Sequence, residues 1–401
     1  MIYDPSRHEA LQPLSWCEDR ARLAICQIVT DAEERFSPER YWPPHPQDTE
    51  GAAAEPFTPL YFGALGMIWA LQHLRDVGAA PLSRDYTPFV ERLQAANRRW
   101  LAEEYGASRG SYLMGDTPYL LVSHAADPTH TRLCEELERL IADTIDHPSR
   151  ELMWGSPGTM LAALFLYERT GEDRWARQFQ LTARKLWSQL QWSEKFACHY
   201  WTQDLYGRQS TYLDAVHGFV ATAVPLIRGR ALLEEAEWSA WLECIVNTIS
   251  RTATRQGTAV NWQAHLLVPE GESPRFLMQF CHGAPGFVIC LGDLPTEALD
   301  PLLVAAGETI WSAGPLTKGA NLCHGTGGNG YAFLKLYQRT GDSKWLDRAR
   351  AFAMHGIAQT EADLRQYGQR RYSLWTGDVG FAIYLWHCLC GTAAFPTLDV
   401  F

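Results

Sequence analysis

Hydrophobic and polar residues recur with a helical period along most of the chain. Four segments carry apolar residues three and four positions apart, with charged residues on the opposite face, and each predicts an amphipathic helix. They are "RLAICQIVTDAEERF", "VERLQAANRRWLAEEY", "RLCEELERLIADTI" and "DRWARQFQLTARKLWSQL". Strand patterns are few and short, and the best is "QGTAVNWQAHLLV" at 256–268. The stretch "YWPPHPQDTEGAAAEPF" at 41–57 contains prolines and acidic residues and predicts a loop.

Seven further segments are apolar nearly all round, and each follows a turn marked by glycine. Helices without a polar face are buried, so these segments predict an inner layer. The turns are "FGALGMIWAL" at Gly63, "MGDTPYLLVS" at Gly115, "WGSPGTMLAAL" at Gly155, "VHGFVATAVPL" at Gly218, "CHGAPGFVICL" at Gly283, "CHGTGGNGYAFL" at Gly325 and "WTGDVGFAIYLW" at Gly377. In five of the seven, glycine recurs three positions later. Glycine at these places allows two backbone segments to approach closely and allows a positive φ.

The spacing of these turns predicts the architecture. About 40 to 65 residues separate successive turns, which is room for one apolar helix, one amphipathic helix and their connections. Seven inner and seven outer helices predict an all-α fold, a closed double-layered (α/α)7 barrel with the glycine turns at its mouth. A helical solenoid has the same alternation and is the alternative. We expect a single domain over residues 1–401, with residues 1–57 forming an N-terminal helix and loop packed on the barrel.

Composition and charge narrow the classes of function. The chain has 401 residues, of which 46% are apolar, and a net charge of −11. No run of lysine and arginine is long enough to build a basic face, which argues against a nucleic-acid partner. No apolar run reaches the length of a transmembrane segment, and the N-terminus lacks the pattern of a secretory signal. The ten cysteines are therefore expected to be mostly reduced, in the cytoplasm.

Two of the seven turns carry a cysteine followed by a histidine. These are Cys281–His282 and Cys323–His324, and a third turn carries His217 alone. Thiolates and imidazoles are ligands of tetrahedral zinc, and three protein ligands leave one position open for a substrate. One such pair is typical of a buried thiol beside a hydrogen-bonded histidine, but two pairs at matched positions of a repeat favour a metal site. Because a cysteine and its neighbouring histidine cannot easily both bind in both pairs, one histidine is expected to have another role.

Several motifs together resemble those of the lanthionine synthetase C-like family. They are "SYLMGD" (111–116), "ELMWGSPG" (151–158), "AVHG" (215–218), "FCHGAPG" (280–286), "KGANLCHGTGGNGYAFL" (318–334), "SLWTGDVGFAIYL" (373–385) and "AAFPTLDVF" (393–401). The resemblance covers nearly the whole chain, and its closing segments are more similar to the stand-alone, eukaryotic-type members than to bacterial lantibiotic cyclases. It implies a double-layered α/α barrel, in agreement with the count of turns.

The resemblance also implies a metal and a reaction. Carried onto this chain, the family's zinc ligands are Cys281, Cys323 and His324. The family joins a thiol to dehydroalanine or dehydrobutyrine by Michael-type addition, for which the thiol must become a thiolate. A thiol that coordinates zinc at the open position is deprotonated. His282 then either lines the site or orients its loop.

Two further residues match positions with catalytic roles in the family. The addition leaves an enolate that needs a proton at Cα, and His217, which matches the family's histidine in "AHG", is a candidate general acid. Cyclases have an aspartate where this chain has Glu151. A glutamate there is one methylene longer, and it either orients His217, acts as a base, or serves only as a surface or capping residue.

Basic residues point to the source of the thiol. Stand-alone members bind glutathione, and Lys318 matches a lysine that contacts it; a solvated surface lysine is the alternative. Arg365, Arg370 and Arg371 precede the seventh turn and are expected to add positive charge near it.

The leading hypothesis is therefore a zinc-dependent enzyme that adds a thiol, with glutathione favoured, to dehydroamino acids in peptides or proteins. The first alternative is a lanthipeptide cyclase that uses a cysteine of the precursor as the nucleophile. Either enzyme would depend on a separate kinase or dehydratase to make the dehydroamino acid. The second alternative is a zinc- and glutathione-binding scaffold without turnover.

The same turns argue against two other classes of protein, phosphate-binding proteins and sugar enzymes. "GTGGNG" at 325–330 lacks the Lys-Ser/Thr pair of a P-loop and follows no predicted strand, which argues against phosphate binding. Sugar enzymes with six helical hairpins rely on acidic pairs or on histidines without thiolate zinc, which does not fit two Cys-His turns.

Overall fold

A computed structural model describes residues 2–49, 55–105, 109–268, 271 and 273–401. Residues 50–54 of the predicted loop at 41–57 lie outside that set. The chain divides into two compact units: the first unit comprises Met1–Asp4, Ala107–Ala313 and Val400–Phe401, and the second comprises Pro5–Gly106 and Gly314–Asp399. The expectation of a single domain over the whole chain stays a prediction.

Within the described residues the chain forms fourteen α-helices. In order they are α1 (Glu18–Arg35), α2 (Ala64–Asp76), α3 (Val90–Glu104), α4 (Thr117–Ala126), α5 (Thr131–Thr144), α6 (Ser156–Thr170), α7 (Asp173–Ser188), α8 (Phe219–Arg228), α9 (Glu235–Thr252), α10 (Ala284–Leu291), α11 (Asp300–Ala313), α12 (Thr326–Thr340), α13 (Ser343–Tyr367) and α14 (Asp378–Cys390). Four of them, α1, α3, α5 and α7, coincide with the amphipathic helices predicted from the sequence. Their apolar stripes are buried and their charged faces are exposed.

The seven predicted apolar helices are the even-numbered ones, α2 to α14. Six of the predicted glycines are the N-cap residues of these helices, and in the remaining one Asp116 stands between Gly115 and α4. In α6 every residue from Ser156 to Leu166 is buried, and in α10 the whole helix is buried. Burial on all sides accounts for the absence of a polar stripe in the sequence.

The turn glycines are required by close approach rather than by positive φ. Only Gly283 has a positive φ, +114°, and the other six turn glycines do not. The expectation of positive φ is therefore wrong at those six turns. A Cβ at Gly218 would lie 2.0 Å from the backbone N of Asp214, and one at Gly286 would lie 2.1 Å from the carbonyl O of Phe280. The chain folds back on itself so tightly before each helix that no side chain fits.

The strands form three two-stranded antiparallel hairpins. They pair β1 (Gln191–Ser193) with β2 (Cys198–Tyr200), β3 (Gln203–Leu205) with β4 (Arg208–Ser210), and β5 (Thr254–Gln256) with β6 (Ala259–Asn261). The strand predicted at 256–268 is mostly wrong, because β6 ends at Asn261 and only an isolated bridge joins His265 to Tyr212. The first two hairpins were not predicted, since three-residue strands are too short to show a period of two.

Each unit buries its own apolar helices. In the second unit α1 packs against α14 and α13, and α12 packs against α13. In the first unit α6 packs against α7 and α8, and α10 packs against α8 and α11. No helix among the described residues is long and apolar enough to cross a membrane. The ten cysteines, all within the described part of the chain, are thiols rather than halves of disulfides.

Candidate functional site

The predicted site residues lie on or beside the glycine turns of both units. Glu151, His217 and Cys281 belong to the first unit. Lys318, Cys323 and His324 belong to the second.

Glu151 and His217 lie in direct contact. Oε2 of Glu151 is 2.8 Å from Nδ1 of His217, although 66 residues separate them in the chain. The carboxylate also accepts hydrogen bonds from the backbone N–H groups of Met153, at 2.9 Å, and Trp154, at 2.5 Å. Glu151 is fully buried, whereas the side chain of His217 keeps 17% of its surface exposed. The glutamate is therefore fixed by its own turn, and the imidazole that it holds still reaches solvent.

Asp214 makes a second contact between a carboxylate and a histidine in the first unit. Its Oδ1 accepts hydrogen bonds from the backbone N–H of Val216, at 2.9 Å, and of His217, at 2.7 Å. Its Oδ2 lies 2.8 Å from Nδ1 of His282. Asp214 is fully buried. One carboxylate thus fixes the turn that carries His217 and also orients the histidine that follows Cys281.

These contacts set the charge states of the three groups. Burial by itself lowers the pKa of His217, but the hydrogen bond and negative charge of Glu151 outweigh it, so that pKa lies above its ordinary value. In the same way, burial lowers the pKa of His282 and the charge of Asp214 more than compensates. Burial raises the pKa of Asp214, but the charge of His282 outweighs it and leaves that pKa below its usual range. Each contact thus favours the charged form of the group concerned: the imidazolium of His217 and of His282, and the carboxylate of Asp214.

Two tyrosine rings stand beside His217. The ring of Tyr206 is 6.3 Å from that of His217, at 85°, and the ring of Tyr212 is 5.6 Å away. The ring of Tyr212 also lies 4.1 Å from that of His265, tilted by 34°, and 6.0 Å from that of His282. His217 thus has two aromatic neighbours, Tyr206 and Tyr212.

Cys281 is half-buried on the turn before α10, and its sulfur accepts a hydrogen bond. Nε2 of Gln279 lies 2.9 Å from Sγ of Cys281. A donor aimed at sulfur stabilises the thiolate over the thiol, and the thiolate is the form that binds a metal. The turn is held by Asn261, whose Oδ1 accepts the backbone N–H of Ala284 at 2.7 Å.

In the second unit, Cys323 is buried on the turn before α12. Its sulfur lies 2.7 Å from Oη of Tyr61, and its backbone N–H donates to the carbonyl of Trp375. His324 is half-buried, and its backbone N–H donates to Oδ1 of Asn321 at 2.9 Å. The side chain of Lys318 is exposed, so its ammonium group is solvated.

The arginines before the seventh turn are largely matched by acidic partners. Nε of Arg371 donates to Oδ2 of Asp48 at 2.9 Å. Nη1 of Arg370, which is buried, lies 3.6 Å from Oδ2 of Asp378. Arg365 is exposed at the end of α13. The positive field expected from these residues is therefore reduced by the neighbouring carboxylates.

The residue types fit zinc, although the metal assignment stays a prediction. In the parts of the chain that the structure describes, no three His, Cys, Asp or Glu side chains are gathered in an arrangement that could hold a metal ion. The donor set Cys281, Cys323 and His324 contains two sulfurs and one imidazole, which suits zinc. Gln279 donates a hydrogen bond to the sulfur of Cys281 at 2.9 Å, and the hydroxyl group of Tyr61 lies 2.7 Å from the sulfur of Cys323.

Comparison with known proteins identifies the family. Residues 57–400 match the model for lanthionine synthetase C-like proteins. The chain belongs to the lanthionine synthetase C-like family. A glutathione S-transferase, LANCL1 of Danio rerio, is 24% identical over 358 residues, which cover 85% of this chain and 84% of the relative. The LanC-like protein GCL1 of Arabidopsis thaliana is 36% identical over 142 residues, which cover 33% of this chain and 32% of the relative.

Nisin cyclase has the same fold as this member of the lanthionine synthetase C-like family. The two structures agree with a TM-score of 0.61 at 15% sequence identity, over 93% of this chain and 95% of the cyclase. At this level of identity the likeness shows the fold alone. The predicted fold class, an all-α (α/α)7 barrel, is confirmed. Family membership places the function within thioether formation, cyclisation or a glutathione-binding scaffold role.

Asp214, Tyr61 and Tyr206 were not singled out from the sequence. For Asp214 a signal was present, because a polar residue recurs four positions before the turn glycine. Four such side chains accept the backbone N–H three residues later; they belong to Ser111, Glu151, Asp214 and Asn321. This is a local side chain-to-backbone turn of the kind that Asp, Asn and Ser favour. For Tyr61 and Tyr206 no local pattern marks the contact, since each meets its histidine or cysteine through tertiary packing.

Proposed function

We propose that the protein catalyses thioether formation by adding a thiol, with glutathione favoured, to dehydroalanine or dehydrobutyrine residues of peptides or proteins. The contact between Glu151 and His217 carries this proposal, because it joins the family's histidine to a buried carboxylate that, against the effect of burial, raises the pKa of the imidazole. Family membership supports it, and so does the similarity to the Danio rerio relative, a glutathione S-transferase.

The nucleophile is the thiolate of the incoming thiol. We propose that Cys281, Cys323 and His324 hold one zinc ion, which when bound would lower the pKa of the incoming thiol so that its proton passes to solvent at neutral pH. The support consists of the two Cys-His motifs, the zinc association of the family, and the hydrogen bond that Gln279 donates to the sulfur of Cys281.

His217 supplies the proton that completes the addition. The sulfur forms a bond to Cβ of the dehydroalanine, and the π electrons of the Cα–Cβ bond move to an enolate. The imidazolium of His217 then gives a proton to Cα, and solvent restores it. Because Nδ1 faces Glu151, Nε2 is the nitrogen left for this transfer.

Lys318 and Glu151 have different parts in the proposal. The exposed ammonium group of Lys318 is available to a carboxylate of glutathione as it binds. Glu151 is a positioning residue that fixes the tautomer and charge of His217. A cytoplasmic location, where reduced glutathione is abundant and thiols persist, suits this reaction and stays a prediction.

Mass spectrometry of mixtures with a dehydroalanine peptide tests the proposal. Purified protein, glutathione and the peptide should give an adduct equal in mass to the sum of the two substrates, faster than without protein. A peptide carrying both dehydroalanine and cysteine, incubated without glutathione, tests the cyclase alternative, since ring closure leaves the mass unchanged but removes the free thiol. Absence of rate enhancement in both mixtures, with zinc and glutathione still bound, would establish the scaffold instead.

A further inference from the structure

Tyr206 occupies a backbone position that is unfavourable for a tyrosine. It forms, with Gly207, the two-residue loop between β3 and β4, in which Leu205 pairs with Arg208. Both loop residues have positive φ, +54° for Tyr206 and +73° for Gly207, as in a type I′ turn. Asparagine, aspartate and glycine are the residues that such turns favour, because their backbone tolerates the left-handed region. A bulky residue held there is a sign that the side chain serves another purpose.

The hydroxyl group of Tyr206 is anchored, while most of the residue is exposed to solvent. Nε1 of Trp154 donates a hydrogen bond to its Oη at 3.0 Å, and the residue nevertheless exposes 64% of its surface. Trp154 is buried and lies on the same turn as Glu151. The turn that fixes His217 through Glu151 thus also fixes Tyr206, with its ring 6.3 Å from the imidazole.

We propose that Tyr206 is a substrate-recognition residue whose exposed ring packs against the unsaturated residue of the acceptor peptide. This inference rests on the proposed function, because it concerns the acceptor whose Cα receives the proton of His217. Dehydroalanine is planar at Cα and conjugated with its flanking amides, so it presents a flat π surface. Aromatic rings prefer such partners in offset or edge-to-face arrangements. The alanine counterpart has a tetrahedral Cα and offers no flat face.

The same geometry favours release of the product. Addition of the thiol makes Cβ tetrahedral but leaves Cα planar in the enolate, so the flat surface at Cα is lost only when the new C–H bond forms. The contact with Tyr206 weakens at that point. The ring therefore selects the unsaturated substrate over the saturated product, in addition to holding it beside His217.

Replacement of Tyr206 by asparagine separates recognition from structural support. Asn-Gly is the preferred sequence of a type I′ turn, so Tyr206→Asn should leave the melting temperature unchanged or raise it. Tyr206→Phe keeps the ring and removes the hydroxyl group. Trp192→Ala is the matched control, because it deletes another exposed aromatic side chain, on β1, whose ring contacts His199 rather than His217.

The experiment measures kcat and KM for the dehydroalanine peptide at saturating glutathione, together with direct binding of that peptide and of its alanine counterpart by calorimetry. In Tyr206→Asn, KM for the peptide should rise about tenfold with kcat within about twofold, as for a lost aromatic contact made equally before and during reaction. Tyr206→Phe should recover most of the affinity, and Trp192→Ala should behave as wild type. The preference for the dehydroalanine peptide over the alanine peptide should shrink only in Tyr206→Asn.

The outcomes distinguish this inference from the proposed function. An active wild type with an unchanged KM in Tyr206→Asn overturns the role of Tyr206 and leaves the function intact. If the wild type gives no adduct, the proposed function fails, and calorimetry alone decides the role of Tyr206. Weaker binding of the dehydroalanine peptide by Tyr206→Asn than by wild type supports recognition by Tyr206. Equal binding by the two proteins, or no binding by either, overturns it.

Discussion

Oε2 of Glu151 lies 2.8 Å from Nδ1 of His217, and both oxygens of that carboxylate are held by backbone N–H groups of its own turn. The glutamate cannot swing away without breaking those hydrogen bonds, so the imidazole has one fixed partner. Glutamate is one methylene longer than the aspartate that the cyclases have at this position, and in this chain it reaches the histidine. A purely surface role for Glu151 is wrong, since it is fully buried.

Glu151→Gln should move the alkaline limb of the rate of thiol addition to lower pH. The hydrogen bond and charge of Glu151 raise the pKa of His217, and burial alone would lower it. Without the charge, His217 loses its proton at a lower pH, so the protonated form that acts as the general acid disappears at a lower pH. The pH profile of kcat/KM measures this shift. A limb that stays in place would show that another group donates the proton.

His217→Ala should slow thiol addition by about 10²- to 10⁴-fold, the usual contribution of a general acid. The zinc content and the helical circular dichroism should stay at the wild-type level, because the turn is held by Asp214 through backbone groups that the substitution leaves in place. Adduct formation followed by mass spectrometry measures the rate. An unchanged rate would remove His217 from the mechanism.

Removal of a proposed zinc ligand should release the metal. Purified protein should carry about one zinc ion per chain, as a three-ligand site with one open position implies. Cys323→Ala and Cys281→Ala should each lose most of it, whereas Cys390→Ala, at an exposed cysteine at the end of α14, should retain it. Metal analysis of the purified variants decides the assignment. Metal-free wild-type protein, or zinc retained by Cys323→Ala, contradicts it.

Glycine at the turns should be far less replaceable than glycine at helix ends. In Gly218→Ala the new methyl group would meet the backbone of Leu213 and Asp214 within 2.2 Å, and a cost of about 3 kcal/mol is expected, at the upper end for overpacking. Gly171→Ala, at φ +68° with open space around it, should cost only about 1 kcal/mol. Urea unfolding of the two variants gives the comparison. Equal losses would mean that crowding at Gly218 costs no more than the positive φ at Gly171.

The Glu151–His217 pair should stabilise the fold more at acidic than at alkaline pH. The folded-state pKa of His217 lies above its ordinary value of 6.5, so its contribution is fully present below pH 6.5 and is lost as pH rises through the folded-state pKa. The difference in melting temperature between wild type and Glu151→Gln should therefore shrink as pH is raised. A difference that grows with pH would reverse the assigned charge states.

Local patterns in the sequence located eleven of the fourteen helices of the described residues, whereas α9, α11 and α13 were expected only as members of the outer layer. Amphipathic periodicity located α1, α3, α5 and α7, and the glycine turns located the seven apolar helices almost to the residue. Both signals are local, since they depend on which faces of a single helix are buried and on how tightly one turn folds. The short hairpins escaped detection because three residues carry no measurable period.

The sequence by itself determined which residues stand at the turns, including Glu151, His217 and the two Cys-His pairs. Only the tertiary structure decided which of these residues contact each other: Glu151 contacts His217, Asp214 contacts His282, and the ring of Tyr206 lies beside that of His217. Those contacts join residues up to 68 positions apart, from Asp214 to His282, and packing of the buried helices brings them together. No periodicity within one helix encodes which neighbour it will meet, and the protonation of His217 follows from that neighbour.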